Sequence, residues 1–197
     1  MAKGPRMAEG TTGSTARVTA GITTGATARA TTGIRVRPGV DGDLAELTEI
    51  YNHYVAHTPV TFDIDPVTVE ERRAWLDSHP AAGRHRLLVA EEAGRILGYA
   101  TSSPFRDKRA YETSVETSIY LGPDHTGRGL GGLLYSALLE TLAHEDVHRA
   151  YAGITQPNAA SMRLHERFGF RPVGLLGQVG RKFGTFWDVA WLEKRIA

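Results

Sequence analysis

Ser118-Ile119-Tyr120-Leu121-Gly122-Pro123-Asp124-His125-Thr126-Gly127-Arg128-Gly129-Leu130-Gly131-Gly132 is the stretch whose reading decides the fold. Its first residues close an alternating run from Thr113. Val115, Thr117, Ile119 and Leu121 fall on one side and Ser114, Glu116, Ser118 and Tyr120 on the other, the period of a strand. Beyond it, Leu133, Leu134, Ala137, Leu138 and Leu142 recur at helical spacing. Glycines between a strand and a helix let backbone N–H groups close on an anion, and the helix N-terminus adds partial positive charge. A phosphate or pyrophosphate is the ligand that such a segment suits. Gly127-x-Gly129-x-x-Gly132 also matches the dinucleotide fingerprint formally. That fingerprint needs a tight strand-to-helix turn inside a βαβ unit and an acid about 20 residues on, whereas here Gly122 to Thr126 intervene. A flexible loop with a helix cap and no ligand is the structural alternative.

Upstream, Ile34 to Arg37 alternates like a short strand and stops at Pro38-Gly39. Asp43 with Glu46 has the spacing of a capping box, followed by Leu44, Leu47, Tyr51, Tyr54 and Val55 on one helical face; Thr68 with Glu71 opens a second helix that ends before Pro80. Arg86 to Glu91 and Arg95 to Ser103 flank a Glu92-Ala93-Gly94 turn as a hairpin would. Downstream come a strand from Val147 to Ile154, a helix from Asn158 to Phe168 stopped by Gly169, and two closing strands near 170–179 and 187–195. The predicted order is βααββ-βα-βα-ββ, an α/β fold.

Composition narrows the chemistry. The 197 residues contain no Cys, which removes zinc-thiolate sites, iron–sulfur clusters, disulfides and a cysteine nucleophile. The first 33 residues hold nine Thr, seven Ala and six Gly and no aromatic residue. So little large apolar surface cannot offset the entropy of ordering, and 1–33 is read as a disordered tail ahead of a domain at 34–197. The tail carries four basic residues against Glu9 alone, so the net charge of +1 comes from the tail and the domain is mildly negative. General nucleic-acid binding is disfavoured on that balance, and no apolar run is long enough to span a bilayer.

The quoted stretch resembles the acetyl-CoA motif of the GNAT superfamily of N-acetyltransferases, and Asn158-Ala159-Ala160-Ser161-Met162-Arg163-Leu164-His165-Glu166-Arg167-Phe168-Gly169-Phe170 resembles its downstream motif. Tyr51-Asn52-His53-Tyr54, Val115 to Tyr120, and Gly180-Arg181-Lys182-Phe183-Gly184 ending at Asp188 look like the phosphinothricin and methionine sulfone/sulfoximine acetyltransferases. Two positions depart from the pattern: Thr126, where the loop usually begins with Gln or Arg, and Phe186, where Trp is usual. The resemblance implies a mixed, mostly antiparallel sheet of about seven strands flanked by four helices, acetyl-CoA as co-substrate, no metal, a small-molecule amine acceptor, a homodimer and a cytoplasmic location.

Roles follow from the resemblance position by position. Ile119, Tyr120 and Leu121 would offer backbone groups to the pantetheine arm. Thr126, Gly127, Arg128, Gly129, Leu130 and Gly131 would cradle the pyrophosphate, and Asn158 would bond the cofactor near its thioester. Glu116 matches the general base and His165 a position often filled by a general acid. Phe62, Phe105, Arg106, Lys108, Tyr111 and Val115, with Glu116, would contact the acceptor. The chemistry suits these residue types: an amine protonated at neutral pH must lose a proton before attacking a thioester. Arg106 and Lys108 could hold a carboxylate or phosphinate through charge-assisted bonds. A strand carboxylate is otherwise a solvated or cross-strand paired group, and His165, beside Met162, Leu164 and Phe168, could simply pack. His53 and His57 have metal-pair spacing without the His-Glu-x-x-His pattern and are read as solvated. Two functions from different classes result: an acetyltransferase acting on the α-amine of an amino-acid-like substrate, or an acetyl-CoA-binding sensor or scaffold without turnover.

Overall fold

A computed structural model describes residues 33–197; the Thr-rich tail up to Thr32 lies outside the described residues. The elements are β1 (Ile34–Pro38), α1 (Leu44–His57), α2 (Val69–Asp77), β2 (Leu87–Glu92), β3 (Arg95–Pro104), β4 (Ser114–Leu121), α3 (Leu130–Ala143), β5 (Arg149–Thr155), α4 (Ala159–Arg167), β6 (Arg171–Lys182) and β7 (Thr185–Arg195). They form one sheet in the order β1-β2-β3-β4-β5-β7-β6, antiparallel throughout except where β4 meets β5.

Strand alternation sorts the two faces. Leu88, Ala90, Leu97 and Val115 point to one side, where Leu130, Leu134, Tyr135, Leu138 and Leu142 of α3 cover them. Leu87, Val89, Ile96 and Tyr99 point to the other, under Leu44, Leu47 and Ile50 of α1 and Leu76 of α2. A sheet covered on both faces explains why β2 and β3 read as nearly unbroken apolar runs.

Local signals behave unevenly at the helix starts. Thr68 and Glu71 form a reciprocal capping box, with the Glu71 N–H donating to Thr68 Oγ1 at 3.2 Å and the Thr68 N–H donating to Glu71 Oε2 at 2.7 Å. The expected box at Asp43 does not form: Asp43 ends a short 3-10 turn, and its carboxylate instead takes Arg37 Nη1 at 2.6 Å, Arg37 Nη2 at 2.8 Å and the Val40 N–H at 2.9 Å. A bidentate guanidinium outcompetes a helix N–H for a nearly buried carboxylate. The same pairing holds Asp43 below its usual carboxylate range against the cost of burial. Glu46 reaches across to accept from the Ile96 N–H at 2.9 Å, tying α1 to β3.

Candidate active site

The site begins where β4 and β5 part. Their parallel ladder pairs only Ser114, Val115 and Glu116 with Arg149, Ala150 and Tyr151, although β4 runs on to Leu121 and β5 to Thr155. Thr117 closes the vertex of this wedge: its Oγ1 lies 2.5 Å from the Tyr135 hydroxyl and donates to the Tyr151 carbonyl at 3.1 Å. Past the vertex, the β4 edge that faces β5 has no strand partner, so its backbone groups need another one.

A cavity of about 660 Å³ continues from the wedge, lined by Ile119, Leu121, Thr126, Gly127, Gly129, Leu130, Gly131, Asn158, Arg163 and Arg167. Gly127 and Gly129 adopt φ of 73° and 82°, and a Cβ at either would meet nothing within 4 Å. The glycines therefore serve the left-handed turn and leave the loop backbone open, with no contact inside the chain that a side chain would disturb. Gly131 is different: it lies in the first turn of α3, where a Cβ would stand 3.4 Å from Leu164 of α4, so it sets helix spacing. Arg128 turns its side chain away to pair with Glu92 at 3.0 Å and keeps only its backbone for the loop. Tyr54 donates to the Leu121 carbonyl at 2.8 Å, which partly occupies the acceptor expected there. Asn158 caps α4 by accepting from the Ser161 N–H at 3.1 Å, leaving its amide NH₂ free to donate to the cavity that it lines.

Glu116 shares the β4 face of Tyr120, toward α1 and α2, with Ser103 and Tyr151 as its cross-strand neighbours. Among the described residues its carboxylate has no hydrogen-bond or ion-pair partner within range. Burial raises its pKa and the Arg106 charge pulls the other way. A half-buried, unengaged carboxylate with an elevated pKa is suited to take a proton near neutral pH.

Aromatic rings frame this carboxylate. Phe105 stacks on Tyr151 at 4.2 Å and meets Trp191 and Tyr111 edge-on at 5.8 and 6.0 Å. The Arg106 guanidinium lies 4.6 Å over Phe105 and 5.8 Å over Trp191. Lys108 is exposed in the same loop and Tyr111 is 44% exposed. Phe62 packs against Gly180 of β6, where any Cβ would collide with Cε2 and Cζ of its ring, and Lys182 Nζ donates to the Thr61 carbonyl at 2.8 Å. The segment between α1 and α2 is thereby pinned to β6.

Two expectations need correction. Val115 is fully buried in the α3-side core, on the face opposite Glu116, so its side chain cannot contact an acceptor beside Glu116. His165 is 3% exposed, and its Nδ1 lies 2.8 Å from the Ser161 carbonyl, a contact that requires the proton on Nδ1. Burial lowers its pKa and favours the neutral ring; with the proton on Nδ1, Nε2 carries the lone pair and has no hydrogen-bond partner among the described residues. It lines the small cavity at the wedge with Ser118 and Asn158 as an acceptor, the reverse of a general acid.

Sequence reasoning passed over Tyr151, Trp191, Arg163 and Arg167. It also passed over Arg72. That guanidinium is 7% exposed, sits 3.6 Å over Trp75 and 4.4 Å over Tyr51, and donates to the Tyr99 hydroxyl at 2.9 Å. The aromatic faces supply what a carboxylate usually does for a buried arginine. The Glu-Arg-Arg run around it reads as a solvated helix face, so no local signal marks it. His53 and His57 lie ring to ring at 5.0 Å beside a separate groove with Glu49 and His125.

Comparison with known proteins bears directly on this geometry. Residues 47–170 match the Acetyltransferase (GNAT) family. The chain is 62% identical over 165 residues to the phosphinothricin N-acetyltransferase of Streptomyces coelicolor, covering 83% of this chain and 96% of that one. It is 38% identical to the L-methionine sulfoximine/L-methionine sulfone acetyltransferase of Salmonella typhimurium, over 78% of this chain and 90% of that one. The crystal structure of a phosphinothricin acetyltransferase from Sinorhizobium meliloti in complex with acetyl-CoA superposes with a TM-score of 0.78 at 31% identity, covering 82% of this chain and 88% of that one. With a parted β4–β5 pair, a glycine cradle at the start of α3 and these relatives, the chain belongs to the GNAT family of acetyltransferases.

Proposed function

We propose that the protein moves an acetyl group from acetyl-CoA to the α-amine of a zwitterionic, amino-acid-like acceptor of the phosphinothricin, methionine sulfone or methionine sulfoximine type. The observation that carries the reading is the unengaged Glu116 carboxylate at the vertex of the wedge, with the Arg106 guanidinium on the aromatic wall beside it. The cavity fits acetyl-CoA: an outward-facing glycine cradle for phosphates, a free amide donor on Asn158 and unpaired strand backbone for an amide-bearing arm. When bound, acetyl-CoA would supply a thioester whose carbonyl carbon accepts the free amine and whose thiolate, on leaving, takes up the second proton that the newly acylated nitrogen sheds.

Glu116 takes the ammonium proton directly or through one water. Arg106, with Lys108 from the same loop, holds the acceptor's anionic group, and Phe62, Phe105 and Tyr111 supply apolar walls. His165 Nε2 accepts a hydrogen bond at the wedge and orients what lies there. Direct transfer in a ternary complex fits a chain without cysteine. Val173, Leu175, Leu176 and Val179 leave the β6 edge exposed and apolar, which supports a homodimer; the near-zero net charge supports a small-molecule acceptor over a nucleic acid, and a chain without cysteine is compatible with a cytoplasmic site of action. Among the described residues no helix is long and apolar enough to cross a membrane.

A thiol-release assay with phosphinothricin, methionine sulfone, methionine sulfoximine, polyamines and a lysine peptide tests this. Turnover confined to the amino-acid analogues is expected. Acetyl-CoA binding without turnover on any amine would instead make the protein a sensor.

A further inference from the structure

We propose that Arg163 and Arg167 of α4 are the cationic side chains that hold the nucleotide phosphates of coenzyme A, and that they make the protein select the full coenzyme over its phosphate-free pantetheine portion. This rests on the acetyl-CoA reading of the 660 Å³ cavity and adds to it the residues that read the far end of the ligand.

Four observations converge. First, Arg163 and Arg167 are one helical turn apart, so they share a face of α4, and both line that cavity. Second, among the described residues neither guanidinium has an acidic partner within 4.0 Å or donates a side-chain hydrogen bond, whereas Arg35, Arg37, Arg73, Arg84, Arg86, Arg95, Arg128, Arg149 and Arg171 are all paired. Third, Arg167 does not wander in solvent: its side chain rests on the first turn of α3, where a Cβ at Gly132 would collide with Nη2, and its guanidinium carbon lies 5.3 Å from the Phe168 ring centroid. Fourth, the arginine inside the glycine loop, Arg128, is spent on Glu92 and contributes no free charge to the cavity.

Two guanidiniums without an acidic partner among the described residues, lining the same cavity as the glycine loop, suit a phosphate ester. A single carboxylate would leave most of their ten N–H donors unmet. The chain direction agrees. Asn158 at the start of α4 marks the thioester end, and Arg163 and Arg167 lie progressively further along the helix from the chemistry.

The test is calorimetry on the full chain with coenzyme A, 3′-dephospho-coenzyme A and pantetheine, comparing wild type with the double variant Arg163→Gln/Arg167→Gln. Both positions are exposed and Gln keeps the aliphatic carbons and helix preference of each site while removing the guanidinium that lies against Gly132 and Phe168, so the fold should persist; unchanged circular dichroism and melting temperature check it. The double variant is expected to bind coenzyme A about 10- to 100-fold more weakly, with pantetheine affinity unchanged and a flatter dependence on salt. A loss for coenzyme A alone assigns the pair to the 3′-phosphate; equal losses for coenzyme A and its dephospho form assign it to the diphosphate. Equal affinity of wild type and variant for coenzyme A overturns the clamp while leaving the acetyl-CoA reading intact. Failure of the wild type to bind coenzyme A overturns both.

Discussion

The ring of Phe62 occupies the space that a side chain at Gly180 would need. One residue belongs to the connection between α1 and α2, the other to an edge strand more than a hundred residues later, and the contact fixes the position of the ring proposed as an acceptor wall. Gly180→Ala should therefore displace Phe62 while leaving the cofactor cavity untouched. The expected result is a rise of about tenfold in KM for the acceptor with little change in acetyl-CoA affinity, read from steady-state kinetics and calorimetry on the same preparation.

Glu116→Gln keeps the strand and removes the proton acceptor, so turnover should fall about 100- to 10,000-fold. The pKa of this carboxylate is raised by burial, so its charged form costs the folded state free energy. Stability from this group is thus present at low pH and lost as pH rises through the raised value. The Gln variant is free of that cost and should melt about 1–3 °C higher at neutral pH while being nearly inactive. Scanning calorimetry at pH 5 and pH 8 checks the sign: the gain should shrink at the lower pH.

His165 makes the opposite pH statement. Burial lowers its pKa, so the neutral ring contributes stability above the ordinary histidine value, and that stability drains away as pH falls through the lowered one. Nitrogen NMR should find the proton on Nδ1 at pH 7. A signal from Nε2–H would restore the general-acid role.

Gly129 holds φ at 82° with open space around it. Gly129→Val should cost about 1–2 kcal/mol in backbone strain and weaken acetyl-CoA binding, whereas Gly131→Ala should act through the spacing of α3 and α4 and be milder. Calorimetry on both variants separates a conformational demand from a packing one.

Arg106→Ala should raise KM for a carboxylate-bearing acceptor far more than for its amide, by about 1.5–3 kcal/mol in kcat/KM terms. Similar losses for both acceptors would leave Arg106 as an exposed loop charge.

Much of this was legible in the chain because the signals are local. Thr68 and Glu71 announce their helix, the hairpin at Glu92-Ala93-Gly94 announces its strands, and glycines between Leu121 and Leu133 announce the cradle. What escaped depends on competition between partners and on neighbours that only the folded sheet brings together. Asp43 has the spacing of a cap, but Arg37 and the turn at Val40 claim it. Strand alternation already puts Val115 and Glu116 on opposite faces, so one strand could not turn both side chains to the same ligand. Arg72 and Trp191 become visible only once β3, β5 and β7 bring their neighbours together.

Only three residue pairs join β4 to β5, yet that seam connects the four-strand block β1–β4 to the three-strand block β5, β7 and β6. Mechanically, the sheet is a zipper closed at one end. A ligand arm lying in the open end would act as a short extra strand, stitching the blocks together, so occupancy and rigidity become the same event. Hydrogen exchange along the open edges, at Thr117–Leu121 and Ala152–Thr155, should slow when coenzyme A is added. Exchange at Ser114–Glu116 should hardly move, because that part of the seam is already sewn.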